Sequence, residues 1–329
     1  MQINVQLYKV FRISLAVLLV SCTTPEHTQE HTQEQELNFI SEMKGSVEIQ
    51  DNGKGKYKTA YIGDTVNTSD KLRLSKDASA KIMCNNLSLW QINSQGDFPV
   101  SKGCPSTTKT VFRKNISTDN TRGLNNPKIP YLISPRNTAI LNEQPTLYWN
   151  SISGATNYLV EISSGEEFKW TTTVSQPKVT YSGNQPMQPG IYKVNITANN
   201  GASTKGNDDS VFFIVQTKEH ISQINSYIAQ LQQKPLNNNS KSFALAHLYR
   251  NHDFNAKAIE LLEKSIKEGN QTTAVYELLG SIYQKIGLNQ LARERYLSAI
   301  KSAKGEGNLK VQENIQYELE NLLSYSENK

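Results

Sequence analysis

Two rhythms of apolar and polar residues divide this chain. From Leu37 to about Gln216, apolar residues come in short runs with a spacing of two, interrupted by Gly, Asn, Asp and Pro. From Thr217 onward they recur at three and four. The first pattern predicts strands and the second amphipathic helices. Ser46-Val47-Glu48-Ile49-Gln50 alternates, Asp51-Asn52-Gly53 is a hairpin signal, and Lys71–Leu74, Ala80–Cys84 and Ser88–Ile92 continue the set. Residues 106–130 are rich in Thr, Asn, Lys and Pro and have no period, so they read as a linker, which Arg113, Lys114, Arg122 and Lys128 make basic. Strands resume in 131–216 with Thr146–Trp149, Tyr158–Ile162, Phe168–Val174, Tyr192–Ala198 and Val211–Val215, a spacing that predicts a sandwich of two sheets. Asp64 and Asp70 sit beside Gly or Ser, where turn bonds to the backbone account for them better than a catalytic carboxylate pair.

The helical part, 217–329, carries a repeat. Tyr249, Tyr283 and Tyr317 are 34 residues apart, as are Ala246 and Gly280, Leu245 and Leu279, Ala258 and Ala292, Leu262 and Tyr296, and Ser265 and Ala299. Small residues fall where backbones of paired helices approach, and large apolar ones fill the gaps. A leading helix with Ile221, Ile224, Ile228 and Leu231 precedes copies at about 239–272 and 273–306, and a capping helix at about 308–324 follows.

The N-terminus bears on compartment. Lys9 and Arg12 precede the apolar run Ile13–Val20, then Ser21 and Cys22. Eight helical residues rise only about 12 Å against a hydrocarbon core of about 30 Å, so residues 1–21 read as a cleaved signal peptide rather than a span. Leu19-Val20-Ser21-Cys22 resembles the bacterial lipoprotein signal, and that resemblance implies a lipid on Cys22 that holds the protein to the cell envelope; an ordinary signal peptide with an incidental cysteine is the other reading. Thr23, not Asp, follows the cysteine, which by analogy implies no inner-membrane retention in a diderm and so the outer membrane or periplasmic face. Residues 22–36 write Glu-His-Thr-Gln twice and form a polar tether; His27 and His31 would share a helix face, but a low-complexity spacer explains them without a metal.

Charge and cysteines narrow the function. The formal charge of +5 falls to +3 when Lys9 and Arg12 leave with the leader, and no Lys/Arg run is interleaved with aromatics, so nucleic acid has no electrostatic footing. Cys84 and Cys104, in one strand-rich segment of an exported chain, read as a disulfide. The five histidines lie outside any catalytic motif, and no phosphate loop, Gly-x-Ser-x-Gly or His-Glu-x-x-His occurs, so neither catalysis nor a cofactor is expected.

Three families are visible in short motifs. Gly45-Ser46-Val47, Ala60-Tyr61-Ile62-Gly63-Asp64 and Thr68-Ser69-Asp70-Lys71-Leu72 resemble the FecR-type β domain across 37–105. That family's signalling members carry a cytoplasmic segment before a membrane span, and none is read before residue 22. Leu147-Tyr148-Trp149, Gly154-Ala155-Thr156-Asn157-Tyr158 and Pro189-Gly190-Ile191-Tyr192 resemble fibronectin type III and immunoglobulin-like modules, which implies a core Trp149 and a Tyr192 bonded back across its corner. Leu279-Gly280, Tyr283, Gly287, Ala292, Tyr296 and Ala299 resemble the tetratricopeptide repeat; Ser242 and Asp253 depart from it, standing where Trp and Gly are common. The expected fold class is therefore multi-domain, an all-β N-terminal half followed by all-α helical repeats. On the repeat family's geometry, Phe243, His247, Arg250, Glu277, Ser281 and Gln284 line a concave protein-binding face. The leading functional expectation is a non-enzymatic, lipid-anchored envelope adaptor that binds a protein, or a second copy of itself, through the repeats. An envelope glycan-binding protein using Trp170 of the sandwich is the alternative, and a FecR-like regulator the third.

Overall fold

The computed structural model describes residues 35–106, 111–114, 128–205 and 211–327, which belong to one compact unit. The leader, Cys22, His27, His31 and linker residues 115–127 lie outside the described residues. Strands occupy the first part and helices the last, as the change of rhythm predicts.

The first β module contains β1 (Gln35–Glu36), β2 (Asn38–Lys44), β3 (Val47–Gln50), β4 (Lys58–Thr59), β5 (Thr65–Val66), β6 (Lys71–Leu74), β7 (Ser79–Met83), β8 (Leu89–Ile92), β9 (Gly96–Pro99), the short helix α1 (Val100–Gly103) and β10 (Arg113–Lys114). Two four-stranded sheets, ordered β5-β2-β7-β8 and β4-β3-β6-β9, enclose Ile40, Val47, Ile49, Leu72, Leu74, Ala80 and Ile82, while β1 pairs with β10. Asp64 accepts from the Tyr61 N–H at 2.9 Å, and Asp70 from those of Asn67 at 2.8 Å and Asn52 at 2.7 Å, so both carboxylates close turns. The Cys84–Cys104 disulfide ties α1 to the end of β7.

Strand β2 breaks the alternation. Asn38, Phe39, Ile40 and Ser41 are all buried, because the sheet is covered on both faces. Ile40 points into the module, whereas Phe39 belongs to the core that continues into the helices.

The second module is a sandwich. It contains β11 (Leu132–Ser134), β12 (Thr138–Ile140), β13 (Thr146–Trp149), β14 (Tyr158–Ser164), β15 (Phe168–Val174), β16 (Lys178–Thr180), β17 (Gly190–Ala198) and β18 (Phe212–Val215). One sheet runs β11-β13-β16 and the other β12-β18-β17-β14-β15, with β12 and β18 parallel. Trp149 is buried edge-on against Tyr158, their centroids 5.4 Å apart. The Tyr192 hydroxyl donates to the Gln188 carbonyl at 2.8 Å, the corner bond expected of it.

The helices are α2 (Lys218–Gln232), α3 (Asn238–Asn251), α4 (Asn255–Lys267), α5 (Thr273–Lys285), α6 (Asn289–Glu306) and α7 (Leu309–Glu327). Thr217 and Asn237 cap α2 and α3 through their side chains. Helices α3 with α4 and α5 with α6 form the two hairpins of the 34-residue repeat. At Gly280 a β-carbon would lie 2.7 Å from the Tyr296 ring, which is why the closest approach of α5 and α6 uses glycine. The hairpin turns place Asp253 and Gly287, one period apart, in the same left-handed conformation, with φ of 61° and 77°. Among the described residues, no helix is long and apolar enough to cross a membrane.

Candidate functional site

The site singled out by the repeat pattern is the face formed by the first helix of each hairpin, α3 and α5. Part of it is turned inward. Phe243 and His247 are 6% and 7% exposed, and the ring that covers them is Phe39 of β2. Phe39 stacks on His247 at 4.9 Å and meets Phe243 edge-on at 5.6 Å, with Phe112 behind it at 5.7 Å. Leu37, Met83, Leu87 and Phe112 join the same cluster, so one apolar core runs from the first β module into the repeats. Burial and the nearby Arg250 guanidinium push the His247 pKa down to about 3, so the ring is neutral, and its Nδ1 has no hydrogen-bond partner.

Polar contacts pin the edges of this seam. The Ser240 hydroxyl donates to the Ser41 carbonyl at 2.8 Å, and Glu42 accepts from the Asn237 N–H at 2.6 Å and pairs with Lys81 at 2.9 Å. Partial burial raises the Glu42 pKa, but these two donors outweigh it and hold the carboxyl below its ordinary value. Further along, Gly63 rests on Ala274 of α5, and the Tyr61 hydroxyl reaches the Gly307 carbonyl at 3.1 Å.

A second seam joins the sandwich to the hairpin turns. Thr138 of β12 is buried; its hydroxyl donates to the Asp253 carbonyl at 3.0 Å and accepts from the Ala256 N–H at 3.1 Å. Helix α4 has no side-chain cap of its own, so the sandwich supplies one. Asn255 returns the contact by donating to the Asn137 carbonyl at 2.9 Å. At the equivalent turn of the next hairpin, Arg136, 1% exposed, donates from Nε to the Ile286 carbonyl at 2.7 Å, placing a cation at the C-terminus of α5. Asp253, the residue that departs from the repeat pattern, pairs with Lys285 at 2.7 Å while its carbonyl serves Thr138 and Ala139.

The other expected face residues divide. Arg250 is half-buried with its Nε enclosed and unbonded. Gln284 accepts from the Tyr296 hydroxyl of α6 at 2.6 Å and so serves the helix pair, whereas the Ser281 hydroxyl donates to the Leu278 carbonyl within α5 at 2.8 Å. Glu277 is exposed and borders a cleft of about 370 Å³ between the first β module and α5–α7, together with Lys58, Thr59, Asn308, Leu309 and Asn314. Trp170 is half-buried and lies edge-on against Tyr181 at 5.3 Å, packed on the sandwich core. Among the described residues no group of three or more metal-ligating side chains occurs.

The part that Phe39, Gly63, Arg136 and Thr138 play in joining the modules escapes the sequence reading. A signal exists for Phe39 alone, in the unbroken run Leu37-Asn38-Phe39-Ile40, which reads as a strand covered on both faces.

No protein-family model matches the sequence, and none of the curated proteins is similar to it. Solved structures do align with it. One is the solution structure of a tetratricopeptide repeat domain protein from Salinibacter ruber, 23% identical, covering 27% of this chain and 90% of that one with a TM-score of 0.26. Another is a Bordetella parapertussis protein, 21% identical, covering 31% and 86% with a TM-score of 0.27.

Proposed function

We propose that this chain is a non-enzymatic interaction scaffold of the cell envelope, anchored by lipid on Cys22 and engaging a protein partner through its helical repeats. The anchor rests on Leu19-Val20-Ser21-Cys22, and the tether that follows sets the folded part off the membrane. The observation that carries the interaction is the division of the repeat face. Phe39 fills the Phe243–His247 half, while the side from Glu277 to Leu309 borders an open cleft, with Leu309 68% exposed. Two seams hold that cleft in a fixed shape, so a partner meets a preorganised surface and little ordering opposes binding.

The test is affinity capture from envelope extract with the full chain and with a double variant, Glu277→Arg and Leu309→Glu, at the cleft mouth. Both positions are exposed, and a melting temperature equal to that of the full chain checks that the variant keeps the fold. A protein retained by the full chain and lost by the variant supports the reading. Equal retention by both removes the cleft from the function and moves the contact to the β modules.

A further inference from the structure

The seam between β2 and α3 contains an ionisable group in an unusual setting. His247 lies between Phe39 and Phe243, whose centroids are 4.9 and 4.7 Å from its own, it is 7% exposed, and its Nδ1 meets no acceptor. The charged groups around the seam are Arg250 on α3 itself, Glu42 on β2, Lys81 on β7, Asp64 on the turn beneath β2, and Glu277 on α5. Glu42 is already taken by Lys81 and the Asn237 N–H, and Asp64 by the Tyr61 N–H. Arg250 is the one that bears on the His247 ring, and it repels a second positive charge. Glu277 bears on Arg250 rather than on the ring, so an imidazolium here would be cut off from water with no carboxylate acting on it.

We propose that this seam is an acid-opened clasp: near neutral pH Phe39 closes over the repeat face, and protonation of His247 releases β2 from α3 and uncovers Phe243 and the groove beside it. Opening wets the ring, so its proton affinity returns to that of an ordinary histidine, near 6.5. The shut state keeps its full stability above that pH and loses about tenfold in population ratio for each unit below it, until the shut-state value of about 3 is reached. Loss of the Glu42 contact on protonation acts in the same direction. The other attachments are hydrogen bonds of the Thr138 hydroxyl to α4 and of the Arg136 guanidinium to α5, and neither involves His247 or Glu42, so the sandwich stays docked while β2 lets go.

Hydrogen exchange of the full chain, corrected for intrinsic rates, tests this between pH 7.5 and 4.5. Amides of 38–44 and 240–250 are expected to lose about a hundredfold in protection by pH 4.5 while those of β14 and β17 keep theirs. In His247→Leu the loss should shrink to the small part due to Glu42. A seam that holds its protection at pH 4.5, or equal losses in the native chain and the variant, overturns the clasp; so does simultaneous loss in the sandwich, which marks general unfolding. Should the variant not fold, the imidazole resonance of His247 in the native chain decides. A ring that stays neutral for as long as the seam is shut supports the clasp, and one that protonates near 6.5 with the seam still shut overturns it.

Discussion

A β-carbon added to Gly63 would lie 2.2 Å from the β-carbon of Ala274, 211 residues along the chain. The turn after Tyr61 is thus pressed directly onto helix α5. At φ of 95° the residue also occupies a region that L side chains avoid. Gly63→Ala is expected to cost about 1–3 kcal/mol by clash and backbone strain together. Urea denaturation gives the number, and an unchanged midpoint would mean that the turn does not rest on α5.

The cap that Thr138 gives α4 can be removed almost without change of shape. Thr138→Val leaves the Ala256 N–H short of its partner at the start of α4, while the Asp253 carbonyl keeps the Ala139 N–H at 2.7 Å, and should destabilise the chain by about 1–2 kcal/mol. Thr138→Ser should recover most of it. Equal midpoints for the valine variant and the native chain would remove the cross-module cap.

Within the repeat itself, Ala292 has no exposed surface and belongs to the core that α5 and α6 share. Ala292→Leu adds three carbons where none fit and is expected to cost about 1–3 kcal/mol. A melting temperature equal to that of the native chain would show the 34-residue frame to be misplaced.

How far the sequence reveals the molecule depends on the range of the interaction. Strand alternation, the turns closed by Asp64 and Asp70, the Tyr192 corner and the register of the repeat are local or periodic, and each can be read from a few neighbouring residues. Gly280 against Tyr296 is legible for the same reason, because the period puts both helices of a hairpin in view. The seams are not of that kind. Nothing near Phe39 announces a helix 200 residues away, and the polar pair Ser41–Ser240 has no sequence signature at all. His247 shows the cost of reading a helix alone: its position on the concave side is legible, but the module that covers it is not. Tyr317 is the complementary example. It keeps the period yet is 63% exposed, whereas Tyr283 is buried and donates to Glu263 at 3.0 Å.

The core that Phe39, Met83 and Phe112 share with α3 and α5 has a bearing on how this chain can be divided. A boundary placed at Gln216 looks natural in the sequence, where strands stop and helices begin. In energy it is no boundary. A fragment ending there would leave three large apolar side chains facing water, and a fragment starting there would leave Phe243 and the unprotected end of α4 in the same state. Neither piece is a smaller copy of its part of the whole, because each would be missing one side of the core it is folded around.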